Sequence, residues 1–260
     1  MSIDFFSTYA IQLDYGEELR GSGVIFKPSK FSKTIYIITA KHIFFGADNT
    51  FKSHTDISLK TINTVIRIFL EATFRESIEI NLKNNAIYFL DNPEIDLAFG
   101  ILDIDNSSCI NINLINPLEI LDCENTSLEK INFFLLGYPS AGQANSNIPK
   151  MSSFRLKYLN EDKYCLSSNF VSDNPISSAS KILYGLSGSG VFVKQKEGVS
   201  CLSHMQFFSS SNNFYCTRLD LFLDEMNLRI KQFFPEEELI KLQSYIILEN
   251  ENWTLQSTEI

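Results

Sequence analysis

The feature that most constrains the fold is a succession of short apolar runs. YAIQLD, GSGVIFK, TIYIITA, TVIRIFL, NAIYFL and DLAFGIL fill the first half of the chain, and INFFLLGY, SSFRLKYL, KYCLSS, GVFV and SCLSHMQFF the second. Each is rich in Ile, Val, Phe and Tyr, and clusters of Asn, Ser, Asp, Lys and Pro separate them. Runs of this length and composition read as strands, and their close spacing predicts an all-β barrel or sandwich. None approaches the length of a membrane-crossing helix. The stretch from about Asp103 to Lys130 reads as a connector between two halves, of about residues 1–115 and 130–218.

Beyond Arg218 the period changes. In LDLFLDEMNLRIKQFF, Leu219, Phe222, Leu223, Met226 and Ile230 share one helical face. Pro235 then precedes three glutamates in PEEELIKLQSYI, a pattern that predicts a second helix, because acidic residues favour the positive N-terminal end of the helix dipole. Residues 219–260 therefore read as a helical extension with a polar tail that carries the only tryptophan, Trp253.

Composition narrows the function. A chain of 260 residues with 44% hydrophobic and 20% charged residues has ample core for globular folding. A net charge of −9 argues against a nucleic-acid surface. The start MSIDFFSTYAIQLDYGEE has neither a basic segment nor a small-residue cleavage site, so no export signal is expected. The five cysteines are odd in number and lack C-x-x-C spacing, which favours buried free thiols, a cytoplasmic location and no metal or other cofactor.

Three polar residues stand out against this background. His42 follows the apolar strand TIYIITA, Asp96 opens DLAFGIL, and Ser187 lies in YGLSGSGVFV among Gly185, Gly188 and Gly190. A serine hydroxyl is a weak nucleophile at neutral pH. It needs an imidazole to take its proton, a carboxylate to fix the imidazole tautomer, and N–H donors for the oxyanion. Glycines next to the serine permit the backbone turn that presents such donors. Each residue also has an ordinary reading: His42 as a surface histidine, Asp96 as a strand-start residue with Asp91, Glu94 and Asp103 as rivals, Ser187 as part of a linker. Their order and their flanking strands favour the catalytic one. His54, in a polar segment, reads as solvated.

TAKHIF, EIDLAF and GLSGSGVF resemble the three motifs of the trypsin-like (chymotrypsin-fold) serine proteases, and GSGVIF resembles the strand before the histidine hairpin. The likeness covers about residues 8–218 and implies two antiparallel six-stranded β-barrels with the site between them. His42 and Asp96 would come from the first barrel and Ser187 from the second. It further implies that His42 is general base and acid, Asp96 its orienter and Ser187 the acylated nucleophile. The N–H groups of Gly185 and Ser187 would form the oxyanion hole, and Ser203 would begin the substrate-pairing strand.

Departures from the pattern are informative. Leu186 stands where digestive relatives carry an aspartate that receives a freed N-terminal ammonium, so activation by N-terminal cleavage is not expected. Lys181, six residues before Ser187, falls at the bottom of the specificity pocket by this likeness, and His204 is a second candidate lining residue. Both cations would favour an acidic P1 side chain. The implied partners are a protein or peptide substrate and an activating protein, and the implied setting is a bacterial stress or antiphage system. An α/β-hydrolase would need G-x-S-x-G and a later histidine, which GLSGSG does not provide. The rival class is a non-catalytic protease-like scaffold that binds peptides.

Overall fold

In the computed structural model, the described residues are 9–15, 19–45, 59–61, 66–69, 78–90, 92, 95–104, 112–124, 128, 131, 133–139, 152–162, 165–170, 185–195, 198–208 and 213–243. The first sheet is built from β1 (Ala10–Tyr15), β2 (Leu19–Phe26), β3 (Tyr36–Thr39), β4 (Leu59–Thr61), β5 (Ile66–Phe69), β6 (Ile78–Ile80), β7 (Ala86–Phe89) and β8 (Ala98–Ile101). Its order is β4-β7-β8-β3-β2-β1-β5-β6, with every neighbour antiparallel. A one-turn helix, α1 (His42–Phe45), leaves the end of β3.

The second sheet contains β9 (Glu119–Leu121), β10 (Phe133–Gly137), β11 (Ser152–Asp162), β12 (Cys165–Phe170), β13 (Gly190–Gln195), β14 (Gly198–Phe208), β15 (Asn213–Arg218) and β16 (Leu242–Gln243). Its order is β13-β10-β11-β12-β15-β14-β9-β16, and β13 also pairs with β14. The ladder of β13, β10, β11, β12, β15 and β14 thus returns on itself, while β9 and β16 join it by parallel pairing. The all-β expectation holds: among the described residues each sheet carries eight strands, and in the second six of them form the ladder that returns on itself. All eleven predicted runs contain strands. The added ones are short (β4, β6, β9, β16) or enclosed by polar residues (β15), and β9 lies inside the expected connector.

Burial follows the apolar pattern. Ile11, Leu13, Ile25, Ile37, Phe89 and Ala98 form a core within the first sheet. Leu135, Leu156, Val191, Val193, Phe214 and Cys216 form one within the second. A third cluster joins the halves, with Val24, Tyr36 and Phe99 from the first sheet and Leu136, Phe192 and Cys201 from the second. Cys123, Cys201 and Cys216 are buried.

The C-terminal region corrects the expectation of two helices. α2 (Leu223–Phe233) forms, and Leu223, Met226 and Ile230 of the expected face are buried in the joining core with Leu219 and Phe222. The segment after Pro235 is instead a turn and an extended strap ending in β16. Tertiary partners override the helical pattern there. Glu237 bonds Lys83 and Thr34, Glu238 accepts from Ser29 Oγ at 2.8 Å, and the Glu238 carbonyl accepts from the Tyr36 hydroxyl at 2.6 Å. The Asn227 side chain takes both backbone groups of Ile240, at 2.9 and 3.1 Å. A helix would have claimed these backbone groups and turned the glutamates away. No helix among the described residues is long and apolar enough to cross a membrane.

Candidate active site

β3 is buried at all four positions and ends at Thr39, whose hydroxyl donates to the Ser22 carbonyl at 2.6 Å. The chain bends at Ala40 and Lys41, and Ile43 and Phe44 of α1 are drawn into the first core. That anchoring leaves His42 on the open side of the turn, with a side chain 18% exposed. Asp96 comes from the approach to β8, fixed by its buried neighbours Ile95 and Leu97 and itself only 4% exposed.

The two side chains meet at two points. Asp96 Oδ1 accepts the His42 backbone N–H at 2.9 Å, and Oδ2 lies 2.6 Å from His42 Nδ1. A carboxylate accepts, so Nδ1 carries the proton and the neutral ring keeps its lone pair on Nε2. One carboxylate thereby sets both the position of the histidine backbone and the tautomer of its ring.

Ser187 lies on a turn built by its glycines. The Ser189 N–H donates to the Leu186 carbonyl at 2.9 Å, and Gly188 has φ 84°. A four-residue turn with positive φ at its third position is type II, which places Ser187 at the second position and calls for glycine at the third. Space demands glycine as well: a Cβ on Gly188 would lie 2.1 Å from the Ser22 carbonyl oxygen, 2.3 Å from Thr39 Oγ1 and 3.0 Å from the Ala40 nitrogen. The turn is therefore pressed against the bend that leads into His42.

Ser22 on β2 is the clamp between the halves. Its N–H donates to the Ser187 carbonyl at 2.7 Å, and its hydroxyl donates to the Gly185 carbonyl at 2.8 Å while accepting the Tyr138 N–H at 2.9 Å. Leu186 is fully buried in the second core, whereas Ser187 is half-buried between two buried neighbours. Ser189 is also buried, and its hydroxyl finds no hydrogen-bond partner among the described residues. Its Oγ lies 1.8 Å from where a Cβ on Gly137 would stand, so the glycine there makes room for it.

Sequence reasoning passed over Ser22 and Lys41. A serine at a buried strand position, within the run GSGVIF, was the available signal for the first. Lys41 is fully buried with Nζ 5.4 Å from the centre of the Phe89 ring. Burial pushes its pKa down, and the Asp96 charge acts in the opposite direction.

Of the predicted site residues, the structure joins His42 to Asp96 and packs the turn carrying Gly185 and Ser187 against Ser22 and the Thr39–Ala40 bend that precedes His42. Lys181 lies outside the described residues. Ser203 and His204 are on β14, where Ser203 pairs with Val191 and Arg218, and His204 pairs with Gly190 and Thr217.

No described family matches the sequence, and no curated protein matches it either. Solved structures do match by shape. One is the inactive form of Rv3671c from M. tuberculosis, at TM-score 0.50 and 11% identity, covering 88% of this chain and 89% of that one. Another is a Glu endopeptidase, at TM-score 0.56 and 12% identity, covering 86% of this chain and 90% of that one. With its paired β-sheets and these neighbours, the chain has the fold of the trypsin-like serine proteases.

Proposed function

We propose that the chain is a serine endopeptidase acting through His42, Asp96 and Ser187. The observation that carries this reading is the double hold of Asp96 on His42, which fixes an imidazole with its lone pair on Nε2. In the proposed reaction Nε2 takes the Ser187 proton as Oγ attacks a peptide carbonyl. The Gly185 and Ser187 N–H groups stabilise the oxyanion. Both residues direct their carbonyls to Ser22, which supports a turn held by the scaffold. His42 then protonates the leaving amine, and water hydrolyses the acyl-enzyme by the reverse use of the same groups.

The proposed substrates are proteins or peptides with Asp or Glu at P1. Lys181 and His204 are the residues proposed to meet that carboxylate. The pairing of His204 with Gly190, three residues past Ser187, supports this, as does the likeness to a Glu endopeptidase. The buried Leu186 supports a turn set by packing rather than by a freed N-terminal ammonium, and the reading includes an enzyme latent until a partner protein engages it. A cytoplasmic role in bacterial stress or antiphage defence is proposed by analogy with the fold class.

Hydrolysis of a P1 peptide library tests the reading. Ser187→Ala should abolish cleavage, and His42→Ala should lose nearly as much, because the pair acts as a unit. Asp96→Asn should lose on the order of 10⁴-fold in turnover. Cleavage retained by pure Ser187→Ala protein would sink the triad, and a P1 profile unchanged in Lys181→Ala and His204→Ala would remove those residues from the pocket.

A further inference from the structure

Phe31 stands at the tip of the loop joining β2 and β3 and is 90% exposed. A lone exposed apolar residue on a protein surface is ordinary. This loop, however, is pinned at several points. The Ser32 N–H donates to the Ser29 carbonyl at 3.1 Å and the Thr34 N–H to Ser32 Oγ at 3.1 Å. Ser29 Oγ donates to Glu238 at 2.8 Å, and Thr34 Oγ1 donates to Glu237. The ring is thus held out in water between exposed Lys30 and Lys33, in a chain whose net charge is −9.

Beside the loop lies a surface cavity of about 360 Å³, lined in part by Lys83, Asp103, Phe234, Pro235, Glu236 and Glu237. Phe234 and Pro235 give it an apolar part. Three carboxylates surround it against one ammonium, Lys83, which is paired with Glu237. Glu237 both lines this cavity and anchors the loop at Thr34, so tip and cavity share one face of the molecule. Phe31, at 90% exposure, does not fill the cavity of its own chain.

We propose that this face is self-complementary: the Phe31 tip of one copy of the chain enters the acidic-rimmed cavity of a second copy, and the second returns the same contact. A two-fold axis places one patch on both subunits, so a tip and a cavity on the same face meet twice. The cavity has room for the ring, since roughly 150 Å³ already admits benzene. Lys30 and Lys33 then face Asp103 and Glu236 of the other copy. The contact is small, so the association is weak, micromolar and sensitive to salt.

Sedimentation velocity on the full chain, in a Ser187→Ala background that prevents self-cleavage, tests this apart from the peptidase reading. Monomer and dimer should exchange with a Kd on the order of 10 μM. Phe31→Glu and Glu236→Lys should each weaken the dimer about tenfold or more, with unchanged thermal unfolding of the monomer. Mixing those two variants leaves one of the two contacts intact, so the mixture should associate more tightly than either variant alone. A chain that is monomeric up to several times that concentration overturns the proposal, and so does a dimer indifferent to Phe31→Glu.

Discussion

Two regions cross the seam between the sheets, and they are built by different means. The Ser187 turn meets the first half with its own backbone alone: Ser22 N–H to the Ser187 carbonyl, Ser22 Oγ to the Gly185 carbonyl, and Gly188 against the Ser22 carbonyl and Thr39 Oγ1. At the C-terminal strap they run through side chains, from Glu237 to Thr34 and Lys83 and from Ser29 to Glu238, with β16 laid beside β9. Backbone contact leaves no room for a side chain, so it is written into the sequence as glycine. Side-chain contact depends on partners about 200 residues away, such as Thr34 for Glu237, and leaves no local signature. The same contrast separates what each region does: the turn presents Ser187 beside the bend that leads into His42, and the strap ties residues of the first half to β9 of the second.

The sharpest way to break the turn is Gly188→Ala. The new Cβ meets backbone oxygen at 2.1 Å in a conformation with φ 84°, and neither can yield without moving β2. A loss of about 3 kcal/mol or more is expected in urea unfolding, because steric conflict adds to backbone strain. A Gly188→Ala protein as stable as the parent would show that the turn is not pressed against the first sheet.

How far the sequence revealed all this follows the same division. TAKHIF, EIDLAF and GLSGSGVF made the candidate residues legible because their surroundings are local: a strand end before His42, a buried flank on each side of Asp96, a type II turn at Ser187. The strands that were legible are apolar runs of several residues. β9 and β16 are not, since each of these short strands takes its place only by parallel pairing in the assembled sheet. The helix expected after Pro235 rested on acidic residues suited to a helix start. Two of those three glutamates are instead taken up across the seam, Glu237 by Thr34 and Lys83 and Glu238 by Ser29. The contribution of Ser22 was hidden for the same reason, because its partners lie 116 and 163 residues away.

A smaller effect is expected at the strap. Glu237→Ala removes one carboxylate shared by Thr34 and Lys83, with the glutamate 16% and the lysine 27% exposed. Partial exposure limits the cost to about 1–2 kcal/mol, read in the same urea titration. A change near zero would mean that the strap is held by β16 and the buried Ile240 alone.

The least effect at neutral pH, and a distinct one at high pH, belongs to Tyr36. Its phenol is fully buried and donates to the Glu238 carbonyl. Burial raises its pKa, and the charges of Glu237 and Glu238 raise it further. The native phenol therefore keeps its proton after the unfolded one has lost it. The stability this supplies is complete below the ordinary phenol pKa of about 10 and is lost as pH rises beyond it. Thermal unfolding followed from pH 8 to about 11 should show that fall, and Tyr36→Phe should flatten it while costing about 1 kcal/mol at pH 8 for the lost hydrogen bond. Tyr88, whose pKa is also raised by burial, would leave a residual slope. An unaltered alkaline limb in Tyr36→Phe would contradict the assignment.

The turn carrying Ser187 and the His42–Asp96 pair are proposed to form one nucleophilic site. Stoichiometric reaction with a labelled fluorophosphonate, followed by peptide mapping, tests it most directly, since the reagent reports an activated serine without requiring the natural substrate. Labelling should fall on Ser187, should disappear in Ser187→Ala and His42→Ala, and should rise toward one equivalent when the activating partner is present. A folded protein that stays unlabelled with and without candidate partners, or label found on another residue, would contradict the account.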